Sequence, residues 1–173
     1  MNEISEVLEI NVKITQKDYL IFNKMLNSKF LKRIYFLAIC FVLVICALIA
    51  YNPYSIKYDR VIQIIIVIIM VIGLINYVIV KGSKKRYEND NFIREDKHYT
   101  LSKSKVAGNA DSGNFNVTWD KIDRVQEKNG VIAIFISKSQ GFIIPIACID
   151  NGELELIKNL IRNNVSLNKI KMK

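Results

Sequence analysis

The chain is poor in the residues that carry chemistry. It has one histidine, one tryptophan and three cysteines in 173 residues. Cys40, Cys46 and Cys148 offer neither the paired spacing of a disulfide framework nor the clustering of a metal site. Two fall in an apolar run and the third in an apolar strand, so all three read as small buried hydrophobes in a reducing compartment. His98 has no nucleophile motif near it and reads as a structural or exposed histidine. Gly82, Gly108, Gly113, Gly130, Gly141 and Gly152 form no phosphate-cradling loop. Asp120 and Asp123 are interleaved with Lys121 and Arg124, the pattern of a solvated turn and not of an acid–base pair. This inventory leads us to expect no enzymatic activity, no cofactor and no metal.

Charge is absent from two long stretches, 34–51 and 61–80. Each can cross a hydrocarbon core about 30 Å thick at about 1.5 Å per helical residue. Residues 61–80 contain fifteen Val, Ile or Leu side chains plus Met70, which outweigh Gln63, Gly73 and Asn76. Asn76 reads as packing glue toward a neighbouring helix. Tyr35, Tyr51 and Tyr54 mark the interfaces of the first stretch, and Asn52-Pro53 signals a turn. The nine-residue connector forces the two helices antiparallel. No acidic residue or histidine lies in either stretch, which argues against an ion or proton pathway.

Basic residues outnumber acidic ones, giving a net charge of +9. Lys24, Lys29, Lys32 and Arg33 precede the first stretch, and Lys81, Lys84, Lys85 and Arg86 follow the second. The connector holds only Lys57 and Arg60, so both termini are expected in the cytoplasm. Lys29, Lys32, Arg33, Lys81, Lys84, Lys85 and Arg86 are then placed to meet anionic headgroups, at roughly 1 kcal/mol for each basic side chain near the surface. Thirty-three residues rich in polar groups precede the first stretch, so no cleaved signal peptide is expected. No arginine-rich face or aromatic–basic interleaving points to nucleic acid.

Three segments follow: 1–33 with a strand and an amphipathic helix, 34–80 as a transmembrane hairpin, and 81–173 as a β-rich cytosolic domain. Residues 8–14 alternate strictly, as a half-buried strand does. Thr15 with Asp18 matches a helix-opening capping pattern. The helix after it carries Phe22, Met25, Leu26 and Phe30 on one stripe and is expected to run straight into the first span, as a connector or as a helix lying on the membrane. Lys81 to Arg86 reads as a stop-transfer anchor and linker.

From Phe92 the pattern is strands and turns. Short strands are expected at 99–101 and 105–107, then one carrying Phe115, Val117 and Trp119, continued after an irregular step by Ile122 and Val125. Asn129-Gly130 marks a hairpin, 131–136 a central strand, and 142–145 a strand that Pro145 assigns to an edge or bulge. Asp150 with Glu153 is expected to cap a last helix buried through Leu154, Ile157 and Ile161, joined by Leu156 and Leu160. Residues 167–173 read as frayed. The fold class is a membrane α-helical hairpin plus an α+β domain: a curled antiparallel sheet closed by a C-terminal helix, with strand 8–14 added to it.

The segments ITQKDYLIFNKMLN, VTWDKIDRVQEKNGVIAIFIS and GFIIPIACI, in this order around a two-helix hairpin, resemble the YcxB-like proteins of bacteria. Trp119-x-x-Ile122 and Ile144-Pro145 carry most of the likeness, so Trp119, Ile122 and Pro145 are singled out as fold positions or partner anchors. The resemblance implies a pleckstrin-homology-like soluble part. Family members often carry a basic residue where this chain has Ile146, so no contact role is carried over there. Three functions compete. The first is a non-enzymatic membrane protein presenting a cytosolic module to a protein, a peptide or lipid headgroups. The second is an immunity protein against a secreted toxin. The third is a small pore or transporter subunit.

Overall fold

The computed structural model describes residues 7–51, 58–150 and 152–172. The turn expected at Asn52-Pro53, Tyr54 and Lys57 lie outside them. Two compact units form: Asn27–Gly82, and Met1–Leu26 together with Ser83–Lys173.

The chain opens with strand β1, Leu8–Val12, followed by helix α1, Gln16–Leu26. Thr15 and Asp18 cap α1 reciprocally: the Asp18 amide donates to Thr15 Oγ1 at 3.2 Å, and the Thr15 amide donates to Asp18 Oδ2 at 3.0 Å. The helix is neither a connector nor a membrane-surface helix. It stops at Leu26, and Tyr19, Ile21, Phe22 and Met25 are buried in the core of the second unit. Phe22 stacks on Phe135 with ring centroids 5.2 Å apart. Its apolar stripe has protein to cover it, so it has no need of lipid.

Helix α2 spans Ser28–Tyr51 and helix α3 spans Tyr58–Asn89. Within them Ser28–Ile49 and Val61–Asn89 are long and apolar enough to cross a membrane. A soluble core helix of that composition would be largely buried. In these spans 6% and 0% of the most apolar window is buried. Asn76 donates to the Ile72 carbonyl at 2.9 Å and to the Tyr35 hydroxyl of the other helix at 3.2 Å. Residues 81–86 connect the two units as helix and not as loop. They continue α3, and its end is fastened within the second unit: Ser83 is buried and the Tyr87 hydroxyl donates to the Ile14 carbonyl at 3.0 Å.

The rest of the second unit begins with a one-turn helix α4, Asn91–Arg94, and strands β2, Lys97–Leu101, β3, Lys105–Ala110, and β4, Gly113–Thr118. A 3-10 turn at Trp119–Lys121 leads to β5, Arg124–Lys128, β6, Val131–Phe135, and β7, Gly141–Pro145. The irregular step read between Trp119 and Ile122 is where the chain leaves one sheet for the other. The first sheet has the order β1-β2-β3-β4, all antiparallel, with Ile10 opposite Tyr99. Strand β1 therefore joins the C-terminal strands across the hairpin.

The second sheet has the order β7-β6-β5-β8, where β8 is Ile170–Lys171 and runs parallel to β5. The tail expected to fray is thus paired, and Lys169 Nζ donates to the Ile122 carbonyl at 2.8 Å. Asn129 and Gly130 both adopt positive φ, 49° and 79°, as a type I′ hairpin requires. All five residues of the central β6 are buried.

The last helix, α5, is Glu153–Asn164. Asp150 does not cap it. The N-cap is Gly152, whose φ of 104° suits glycine. Ile157 and Ile161 are buried as expected, but Leu156 faces solvent. Cys148 sits in a 3-10 turn after β7, not in a strand.

Candidate functional site

Trp119 is 5% exposed, and its indole N–H donates to the Ser102 carbonyl at 2.9 Å, which ties the 3-10 turn to the β2–β3 loop. Ile122 is buried in the core and Pro145 is buried at the end of β7. Among the basic residues, Lys29, Lys32, Arg33, Lys81, Lys84, Lys85 and Arg86 are all exposed. Lys81 Nζ lies 5.5 Å from the Tyr77 ring centroid, a cation–π distance.

Two of the concavities in the second unit bear on a binding role. The larger is an open cleft of about 450 Å³ where β1, β2 and β3 end together, walled by Asn11, Lys13, Asp96, His98, Asn109 and Asp111. Four of these side chains are paired with one another, and His98 also reaches Glu9. His98 Nδ1 is 2.8 Å from Asn11 Oδ1, its Nε2 is 3.5 Å from Glu9, and Lys13 is 3.7 Å from Asp96. The arrangement offers alternating donors and acceptors of both signs, held in place by neighbours, which suits recognition of a polar group.

The smaller is an apolar cavity of about 240 Å³ walled by Tyr19, Phe22, Phe92, Phe115 and Phe142, with Tyr99 and Lys97 at its side. Tyr99, Phe115 and Phe142 form an aromatic trio with centroids 5.0 to 5.9 Å apart. Gly108 makes room for it, since a Cβ there would stand 2.1 Å from the Phe115 ring. Lys97 is 6% exposed and spends its ammonium on the end of α4, donating to the carbonyls of Phe92 at 2.5 Å and Glu95 at 3.2 Å. Burial pulls its pKa below the ordinary lysine value. Burial likewise pushes the Tyr99 phenol above its usual range.

Two further ion pairs knit the sheets to their surroundings. Arg124 lies 3.9 Å from the Phe135 ring centroid and 2.7 Å from Asp123. Lys158 of α5 reaches Glu127 of β5 at 3.1 Å, with side chains 7% and 14% exposed.

Sequence reasoning isolated Trp119, Ile122 and Pro145 but missed Lys97, Tyr99 and the Lys158–Glu127 pair. A lysine on a short strand and one on a helix face read as solvated until the packing is known. His98 was weighed without its partners because Asn11 and Glu9 lie across the hairpin, far away in sequence.

A family model described as YcxB-like protein matches residues 101–161. That stretch runs from the end of β2 to the last turn of α5, and it contains two of the three segments on which the resemblance rests, VTWDKIDRVQEKNGVIAIFIS and GFIIPIACI. The comparisons with curated proteins and with solved structures returned no match.

Proposed function

We propose that the chain is a non-enzymatic integral membrane protein whose two spans hold a pleckstrin-homology-like module at the cytoplasmic face, where the module acts by binding a protein, a peptide or lipid headgroups. The observation that carries this reading is the pairing of β1, which precedes the spans, with β2, which follows them. Strands from the two flanks can share a sheet only on one side of a membrane. The excess of Lys and Arg on the flanks over the connector makes that side the cytoplasm. The pleckstrin-homology-like assignment rests on the resemblance, together with two mainly antiparallel four-stranded sheets joined by a crossing turn and one helix, α5, near the C-terminus.

Binding is favoured over catalysis by the cleft at the ends of β1, β2 and β3. Its histidine and lysine are engaged by Asn11, Glu9 and Asp96 and are not poised against a nucleophile. The exposed basic residues at the span ends would hold anionic headgroups nearby. Photo-crosslinking from Asn109 in the native membrane tests the reading. A discrete protein or lipid adduct there, absent from the exposed Lys138 position, is expected. Equal labelling at both positions would contradict it.

A further inference from the structure

We propose that the free edge of β4 is a dimerisation seam, at which a second copy of this chain adds its own β4 antiparallel and centred on Asn116. Four strands end the two sheets: β1, β4, β7 and β8. Sheet edges are normally guarded by charge, proline or brevity. Strand β1 carries Glu9, β7 ends in Pro145, and β8 has two residues including Lys171. Strand β4 has six residues, none charged and none proline.

The pairing determines which backbone groups face the open edge. The Ser102 amide donates to the Lys105 carbonyl, so Lys105 turns its backbone groups toward β2, and residues 107 and 109 follow by alternation. Residues 106, 108 and 110 therefore face β4, where they meet 117, 115 and 113. The amide and carbonyl groups of Asn114, Asn116 and Thr118 are left pointing outward.

In an antiparallel pair, outward groups must oppose outward groups. One self-pairing satisfies all three residues on both copies: 116 opposite 116, and 114 opposite 118. A shift of two residues either way strands at least one of them. In this register Phe115 opposes Val117 of the second copy, and Asn114 opposes Thr118, a pair able to hydrogen-bond across strands. Charge agrees. The strand has none to bury. A second copy is favoured over an unrelated peptide because the three outward-facing residues are symmetric about Asn116, so the strand complements itself in hydrogen bonding, and it carries no charge to repel its own copy.

The test uses the full chain in its membrane, with Cys40, Cys46 and Cys148 replaced by alanine. Residues opposite each other in a hydrogen-bonded pair have Cα atoms about 5.5 Å apart, inside the disulfide range of about 4.4–6.8 Å. Oxidation of Asn116→Cys should yield a covalent dimer, while Lys138→Cys, in an exposed turn, should not. Asn116→Lys sets like charges face to face and should weaken the detergent-solubilised dimer by about tenfold or more. Asn116 is exposed, so fluorescence of the single tryptophan should report an intact fold in this variant. Equal crosslinking at 116 and 138, a disulfide to a different protein, or a dimer indifferent to Asn116→Lys would each overturn the proposal.

Discussion

Gly108 lies under the Phe115 ring, and no side chain fits between them. Gly108→Ala should force the aromatic trio apart and cost about 1–3 kcal/mol, the usual penalty of overpacking. Urea unfolding followed by Trp119 fluorescence measures this, and Phe115→Leu in the same chain should recover part of the loss. Tyr99 gives a pH signature. Burial raises its folded-state pKa above the ordinary value of 10.0. The unfolded phenol ionises first, so stability is full below pH 10 and falls as the pH rises toward the folded value. The slope approaches about 1.4 kcal/mol per pH unit. Lys97 acts with the opposite sign: its lowered pKa makes stability rise with pH until 10.5. The Tyr99→Phe variant should therefore lose less stability between pH 10 and 11 than the parent, measured by the same urea titration.

Elements show how two similar sequence signals can diverge. Thr15-x-x-Asp18 and Asp150-x-x-Glu153 look alike, yet only the first caps a helix with its side chains, because Gly152 takes the left-handed backbone that starts α5. The amphipathic stripe of α1 was legible, but its partner was not, since Phe135 lies more than a hundred residues away. Strands at 8–12, 131–135 and 141–145 were readable from alternation, apolar density and Pro145. Two-residue β8 is too short for any periodicity, and residues 81–86 have the composition of a linker although Tyr87 fastens them as helix. The ion pair between α5 and β5 invites a test. Lys158→Ala should cost about 1–3 kcal/mol, because it removes a charge-assisted bond from a buried lysine to the half-buried Glu127. Replacing both residues, Lys158→Met with Glu127→Leu, should come close to the parent in the same unfolding assay.

At the scale of the molecule, the sequence revealed two apolar spans and a β-rich C-terminal part. It placed β1 with the C-terminal strands because an alternating strand needs a partner on its own side of the membrane. The division into two sheets was not readable, because the irregular step between Trp119 and Ile122 looks the same in sequence whether a strand bends within one sheet or crosses to another. The cleft was invisible for a related reason: its walls come from both sides of the hairpin.

Topology follows from the same arrangement. If the basic residues set orientation, replacing Lys81, Lys84, Lys85 and Arg86 by glutamine should produce a mixed population, while β1 still requires both flanks of each molecule to lie on one side. The most direct measurement fuses a compartment-sensitive reporter to each terminus in turn and labels a single cysteine placed in the connector from outside the cell. Both reporters should come out cytoplasmic and the connector cysteine should be labelled. Termini on opposite sides, or a connector shielded in intact cells and exposed only after lysis, would contradict the account.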